Sequence, residues 1–178
     1  MKGQSFTHTD RVALLARADA ILAAPPASPY TERHPGRGVL VVRFVLPLEL
    51  AQPLNRTRHA AVWMMDRERS RILATMRAQW MRAHFAGSPI PPSPIPLPGR
   101  PMLRAIRFSS VESDPTSAWW KVCGDVMLPT RTRRGRAVPG LGLIEDDRPS
   151  KLETRAWHER AARGEGFAMV ELWTGDAP

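Results

Sequence analysis

Residues 38–46 read GVLVVRFVL, a run of β-branched and aromatic side chains broken by one arginine, opened by glycine and closed by Pro47. That composition suits a pleated, mostly buried surface and predicts a β-strand. Residues 101–111 (PMLRAIRFSSV) and 167–173 (FAMVELW) have the same character and predict two more strands. Segments with helical periodicity lie between and before them. Over residues 10–24, Thr9 or Asp10 can cap a helix, Leu14, Leu15, Ala18, Ile21 and Leu22 form its apolar stripe, and Pro25-Pro26 ends it. Over 58–85, Val62, Met65, Ile72, Met76 and Trp80 share a face, while Arg67, Arg69, Arg71, Arg77 and Arg82 take much of the remainder. A third helix opens at Asp114-Pro115, where aspartate caps and proline fits the first turn, and it ends at Pro129.

The stretches between are punctuated by proline, glycine and charge. Residues 25–38 are rich in Pro, Gly and Ser and read as a linker. The expected organisation is therefore an N-terminal helix and linker over 1–37 ahead of a main domain over 38–178. A loop with Pro47, Pro53 and Asn55 follows the first strand, and the prolines of residues 88–99 enforce an extended chain. Residues 130–140, with Arg131, Arg133, Arg134 and Arg136, read as a basic loop, and 141–144 as a short strand delivering Asp146 and Asp147. Residues 150–163 admit two readings. Ser150-Lys-Leu-Glu153 has the form of a capping box and favours helix, whereas the alternation of Leu152, Thr154 and Ala156 suits a strand hairpinned through residues 163–166 (RGEG).

The chain has 178 residues, 43% of them hydrophobic, which is enough for one well-packed domain and too few for two of ordinary size. A formal charge of +9 favours polyanionic or anionic partners. The single cysteine, Cys123, excludes an internal disulfide and a multi-cysteine zinc site, and the five histidines are scattered without an i, i+4 pair. No apolar run approaches the roughly 18 residues of a membrane span, and the N-terminus lacks a signal-peptide core, so the expectation is a soluble cytoplasmic protein.

Within this basic chain a set of carboxylates stands out: Glu112 and Asp114, Asp125 after Lys121, then Asp146-Asp147. Lys121 and Asp125 follow Asp114 by seven and eleven positions. At about 100° per residue they return to nearly one face of a helix, with Trp119, Cys123 and Val126 on another. Carboxylates gathered in this way suit a hard cation such as Mg²⁺, which keeps several waters and takes substrate phosphate as a further ligand. Lys121 would neutralise charge on that phosphate. The plainer reading is a helix cap at Asp114, a surface pair Lys121–Asp125 and a solvated turn at Asp146-Asp147.

Residues 39–174 resemble the RusA family of Holliday-junction resolvases. That family carries Asp-x-Asp-Asn at a strand-to-helix junction, a lysine several residues later, an aspartate four residues after it, and an Asp-Asp pair beyond a loop. Glu112-Ser-Asp114-Pro115, Lys121, Asp125 and Asp146-Asp147 are similar to this series, with Glu112 in place of the first aspartate and Pro115 in place of the asparagine. The stretch from Leu46-Pro47 to Gln52-Pro53-Leu54-Asn55 is similar to the family's approach to an asparagine after strand one, and Gly164-Glu-Gly166 before the last strand also fits.

The resemblance implies an α+β fold, a small mixed β-sheet with packed helices, acting as a homodimer. It further implies a strand rather than a helix over 150–163, and a Mg²⁺-dependent (or Mn²⁺-dependent) endodeoxyribonuclease that nicks four-way DNA junctions in pairs. By position, Glu112, Asp114 and Asp147 would bind metal with Asp146 beside them, and Lys121 would serve catalysis. Arg131, Arg133, Arg134 and Arg136 are the candidate phosphate contacts. A catalytically inactive junction-binding or DNA-binding protein on the same fold, and a phage structural protein, are the alternatives. Trp119, Trp157 and Trp173 read as core or interface residues rather than base-stacking platforms.

Overall fold

A computed structural model describes residues 8–26, 31–51, 62–85, 96–111, 119–133 and 135–174. The main sheet has four strands: β1 (Leu40–Pro47), β2 (Met102–Ser109), β5 (Glu153–Arg160) and β6 (Phe167–Trp173). Their spatial order is β1-β6-β2-β5, with β6 antiparallel to both neighbours and β5 parallel to β2. Three helices accompany them, α1 (His8–Ala23), α2 (Val62–Phe85) and α3 (Trp119–Met127). The architecture is thus α+β with a mixed sheet. No described helix is long and apolar enough to cross a membrane.

Strand alternation divides the core in two. Even-numbered Val42, Phe44 and Leu46 of β1, odd-numbered Leu103 and Ala105 of β2, and Ala168, Val170 and Leu172 of β6 face α2 and α3, where Ile72, Met76, Trp80, Trp119, Cys123 and Val126 cover them. The residues of opposite parity (Val45, Ile106, Phe108, Phe167 and Met169) face α1, which contributes Ala18 and the flank of Leu14, Leu15, Ile21 and Leu22. Phe108 and Phe167, paired in register, stack with ring centroids 4.3 Å apart. The near-continuous apolar runs of β2 and β6 follow from this arrangement, because central strands covered on both faces lose the polar alternation of a half-exposed sheet.

The sheet's β1 edge is closed by side chains. The buried amide of Gln79 on α2 accepts from Val45 N at 2.9 Å and donates to Val45 O at 2.5 Å, and Arg11 on α1 donates to Arg43 O at 3.0 Å. Groups that would otherwise be an open template for another strand are thereby satisfied.

Three expectations change. The capping-box reading of 150–163 fails: Arg148 O accepts from Lys151 N (2.8 Å) and Leu152 N (2.9 Å), making one turn only. Glu153 N then donates to Pro101 O at 3.0 Å, and the chain continues as β5 along β2. A full ladder of tertiary hydrogen bonds outweighs one local cap. Nor does β5 hairpin onto β6, since β2 lies between them. Within residues 130–140, expected to be a loop, β3 (Arg131–Arg133) and β4 (Arg136–Val138) pair as an antiparallel ribbon, with Gly135 at φ 75°.

The linker does more than tether α1. Arg33 donates to Ile21 O (3.0 Å) and Leu22 O (2.7 Å), carbonyls left open at the end of α1, and its Nη2 donates to Glu159 of β5 at 2.9 Å. Arg37 pairs with Glu153. Within residues 1–37, α1 therefore packs on the sheet, and Arg33 and Arg37 tie the segment that follows it to β5.

Candidate functional site

Residues 141–144 bring the distant parts of the site together. Leu141 N donates to Val126 O (2.8 Å), Leu143 N to Met127 O (2.8 Å) and Gly142 N to Leu128 O (3.0 Å), so this segment consumes the open carbonyls at the end of α3. It is an extended segment tied to a helix terminus and not the short strand expected from its composition. Its course explains Gly140, where a Cβ would come within 1.9 Å of Leu128 O. The outcome is that residues 145–147 emerge beside the end of α3, the helix that carries Lys121 and Asp125.

A cleft of about 700 Å³ opens there. Lys121, Asp125, Trp120 and Gly124 of α3 line it together with Asp147, Arg100, Leu103, Leu152, Glu153 and Arg155. Lys121 and Asp125, placed on one face by helical spacing, and Asp147, suggested by the resemblance, thus line one cavity. Lys121 lies over the Trp120 ring, with Nζ 5.8 Å from its centroid, and no described carboxylate pairs with it. Asp125 meets Arg131 of β3 at 3.2 Å, and Arg69 of α2 holds the Asp125 and Pro139 carbonyls at 3.3 and 2.7 Å. Arg69 and Arg77, two of the arginines opposite the apolar face of α2, therefore buttress the hairpin base.

The two aspartates of the Asp146-Asp147 pair behave differently. Asp146 accepts from Arg148 N at 2.9 Å and Arg148 Nε at 2.6 Å, and these bonds hold its carboxyl below the ordinary aspartate range. It closes a turn, while Asp147 lines the cleft. Glu112 and Asp114 lie outside the described residues, as does Arg134. Arg131 and Arg136 are exposed on the hairpin, and Arg133 belongs to β3. Trp119 is buried in the core as expected. Trp157 is partly buried and packs against the core on the α1 side of the sheet, and it and Trp173 flank Arg104, at 5.2 and 5.6 Å from their ring centroids.

Sequence reasoning missed Arg100, Trp120, Glu153 and Arg155. Glu153 is nearly buried and accepts from Arg155 Nε at 2.9 Å, with Arg37 on its other oxygen, so its charge is compensated within the fold. The i, i+2 spacing of Glu153 and Arg155 is visible in the sequence, but it places both on one side only if the segment is a strand.

Oxygen donors of the kind a hard divalent cation prefers are present at Asp125 and Asp147. Among the described residues no three His, Cys, Asp or Glu side chains are gathered as a metal group; Glu112 and Asp114 lie outside them. One further pairing invites a catalytic reading and rejects it. Ser109 Oγ lies 2.9 Å from His158 Nε2, but the hydroxyl donates to Val111 O at 2.7 Å, and Nε2 also meets Ser109 O at 3.1 Å. With the hydroxyl proton so committed, the imidazole nitrogen acts as donor and is not placed to take it.

Comparison with known protein families, curated proteins and solved structures finds no match to this chain.

Proposed function

We propose that the protein is a Mg²⁺-dependent, structure-selective endodeoxyribonuclease that nicks four-way DNA junctions in pairs, acting as a homodimer in the manner of the RusA resolvases it resembles. The observation that carries this reading is the meeting of Lys121, Asp125 and Asp147 in one cleft. Asp147 with Glu112 and Asp114 would hold the cation, Mn²⁺ serving in place of Mg²⁺, and the cation would supply Lewis-acid stabilisation of the scissile phosphate. Lys121, without a carboxylate partner among the described residues, is available to a phosphate oxygen. Arg131 and Arg136, exposed on the adjacent hairpin, suit phosphate contacts that position the duplex arms without reading sequence; Arg133 of β3 and Arg134, which lies outside the described residues, are proposed with them.

A second reading has a specific observation behind it. Asp146, beside the proposed metal-binding acids, has its carboxylate engaged by Arg148. Together with Glu112 and Pro115 at the first motif, this favours a junction-binding protein that lacks cleavage. A nicking assay on a synthetic four-way junction in Mg²⁺, with linear duplex and Asp114→Asn beside it, separates the two. Paired nicks on the junction alone, lost in Asp114→Asn, support the endonuclease. Binding without any nick in Mg²⁺ or Mn²⁺ sinks it and leaves the binding protein.

A further inference from the structure

The cleft is larger than a phosphate and a hydrated cation need. At about 30 Å³ for each water, a six-water shell occupies about 180 Å³, and a phosphate adds only a few times one water's share. Of the roughly 700 Å³, more than half is left over.

The lining of the remainder has a distinct chemistry. Trp120 is only partly buried and presents an aromatic surface, with Leu103 and Leu152 apolar beside it. Cations border this surface. Lys121 lies against the Trp120 ring, and Arg100, whose Nε is held by Pro149 O at 3.0 Å, has no carboxylate partner among the described residues. The acids are in part neutralised already, Glu153 by Arg37 and Arg155 and Asp125 by Arg131. An apolar aromatic floor edged by uncompensated cations fits a flat heteroaromatic ring joined to a phosphate.

We propose that the cleft is a nucleotide-binding site: one nucleotide of a bound DNA strand leaves its stack and lodges there. Its base lies against Trp120, and its phosphate is held by Lys121 and Arg100. That the nucleotide belongs to a DNA strand rests on the endonuclease reading; the fit to a base and phosphate rests on the cleft itself. Extruding a base from a duplex costs unstacking and unpairing, and at the crossover of a branched molecule continuous stacking is already interrupted. The site would therefore favour branched over linear DNA without reading base edges.

The test uses the full chain and two probes. Calorimetric titration compares thymidine monophosphate with inorganic phosphate. Base stacking on an aromatic side chain is worth about 1–3 kcal/mol, so the nucleotide should bind about 5- to 150-fold more tightly than phosphate. Trp120→Ala should remove that preference and Trp120→Phe should keep most of it, while Lys121→Gln should weaken both probes alike. In the second arm, 2-aminopurine placed next to the crossover nucleotide of a four-way junction loses a stacking neighbour when that nucleotide is extruded, so it should brighten on binding the wild type and stay quenched with Trp120→Ala.

Equal affinity for nucleotide and phosphate, or a preference that survives in a folded Trp120→Ala protein, overturns the proposal. A mononucleotide preference without crossover brightening overturns the strand-bound form of the site. Junction nicking without nucleotide preference would remove this inference and leave the endonuclease standing. The preference and the brightening without nicking would keep the site and remove the endonuclease.

Discussion

Replacing Glu171 by glutamine keeps the side chain's volume and removes its charge from the interior of the sheet. Glu171 is fully buried on β6; its Oε1 accepts from Arg43 Nε at 2.7 Å, and its Oε2 from Arg104 Nη1 at 2.8 Å and Trp173 Nε1 at 3.1 Å. The two arginines are not equally exposed to the loss. Arg43 keeps Asp19 at 2.8 Å and some contact with water. Arg104 is 11% exposed, held between Trp157 and Trp173, and its Nε already has no partner. Burial pushes the Arg104 guanidinium below its ordinary value in spite of the adjacent carboxylate.

Each charge-assisted hydrogen bond is worth about 1.5–3 kcal/mol, and breaking a buried pair from one side costs about 3–5 kcal/mol. Glutamine retains one acceptor and Arg43 retains a partner, so Glu171→Gln should cost about 3 kcal/mol. For a chain of this size that corresponds to a fall in Tm of roughly 6–12 °C. Urea melts read at unchanged m would measure it. Glu165→Gln, which removes the exposed partner of Arg17, is the control and should stay within about 0.5 kcal/mol of wild type. A loss below about 1 kcal/mol for Glu171→Gln would mean that water reaches the cluster and that its charges are solvated rather than mutually held.

Four further outcomes are expected. Asp147→Asn should lower junction nicking on the order of 100-fold or more in a gel assay while anisotropy shows unchanged junction binding; the site assignment does not survive wild-type rates in that protein. Arg131→Gln combined with Arg136→Gln should reduce the slope of log affinity against log salt by about 1.8, about 0.9 for each lost phosphate contact, and an unchanged slope would remove the hairpin from the DNA interface. Burial pushes the Cys123 thiol up to about 12, so a disulfide reagent at pH 8 should leave the native protein untouched and label it once urea unfolds it. Gly140→Ala, whose Cβ would strike Leu128 O, should destabilise the fold by about 1–3 kcal/mol in urea melts, whereas Gly124→Ala meets nothing within 4 Å and should gain up to about 1 kcal/mol.

Much of the candidate site was readable before the fold. Helical periodicity from Trp119 onward already separates buried Cys123 and Val126 from Lys121 and Asp125, because 3.6 residues per turn decides sidedness without reference to the rest of the molecule. The different fates of Asp146 and Asp147 were not readable. They are neighbours of one residue type, and only the turn made by Arg148 decides which carboxylate is consumed. Trp120, Arg100 and Arg155 were equally hidden, since a cleft belongs to segments far apart in the chain.

By itself the amino-acid sequence determined the local elements: β1, β2 and β6 from β-branched apolar runs, and α1 and α2 from apolar stripes bounded by proline or glycine. Those preferences act within a few residues and carry over into the folded state. Tertiary structure decided what local preference leaves balanced. The 150–163 segment has a helix cap at one end and strand alternation through the middle, and the open edge of β2 settles the choice by pairing with every residue from Glu153 to Arg160. The same pairing inserts β2 between β5 and β6, aligns Glu153 and Arg155 on one side, and sets the cleft at the start of the parallel pair. A hydrogen-bond ladder is satisfied only by a partner strand, and no stretch of sequence read alone contains its partner.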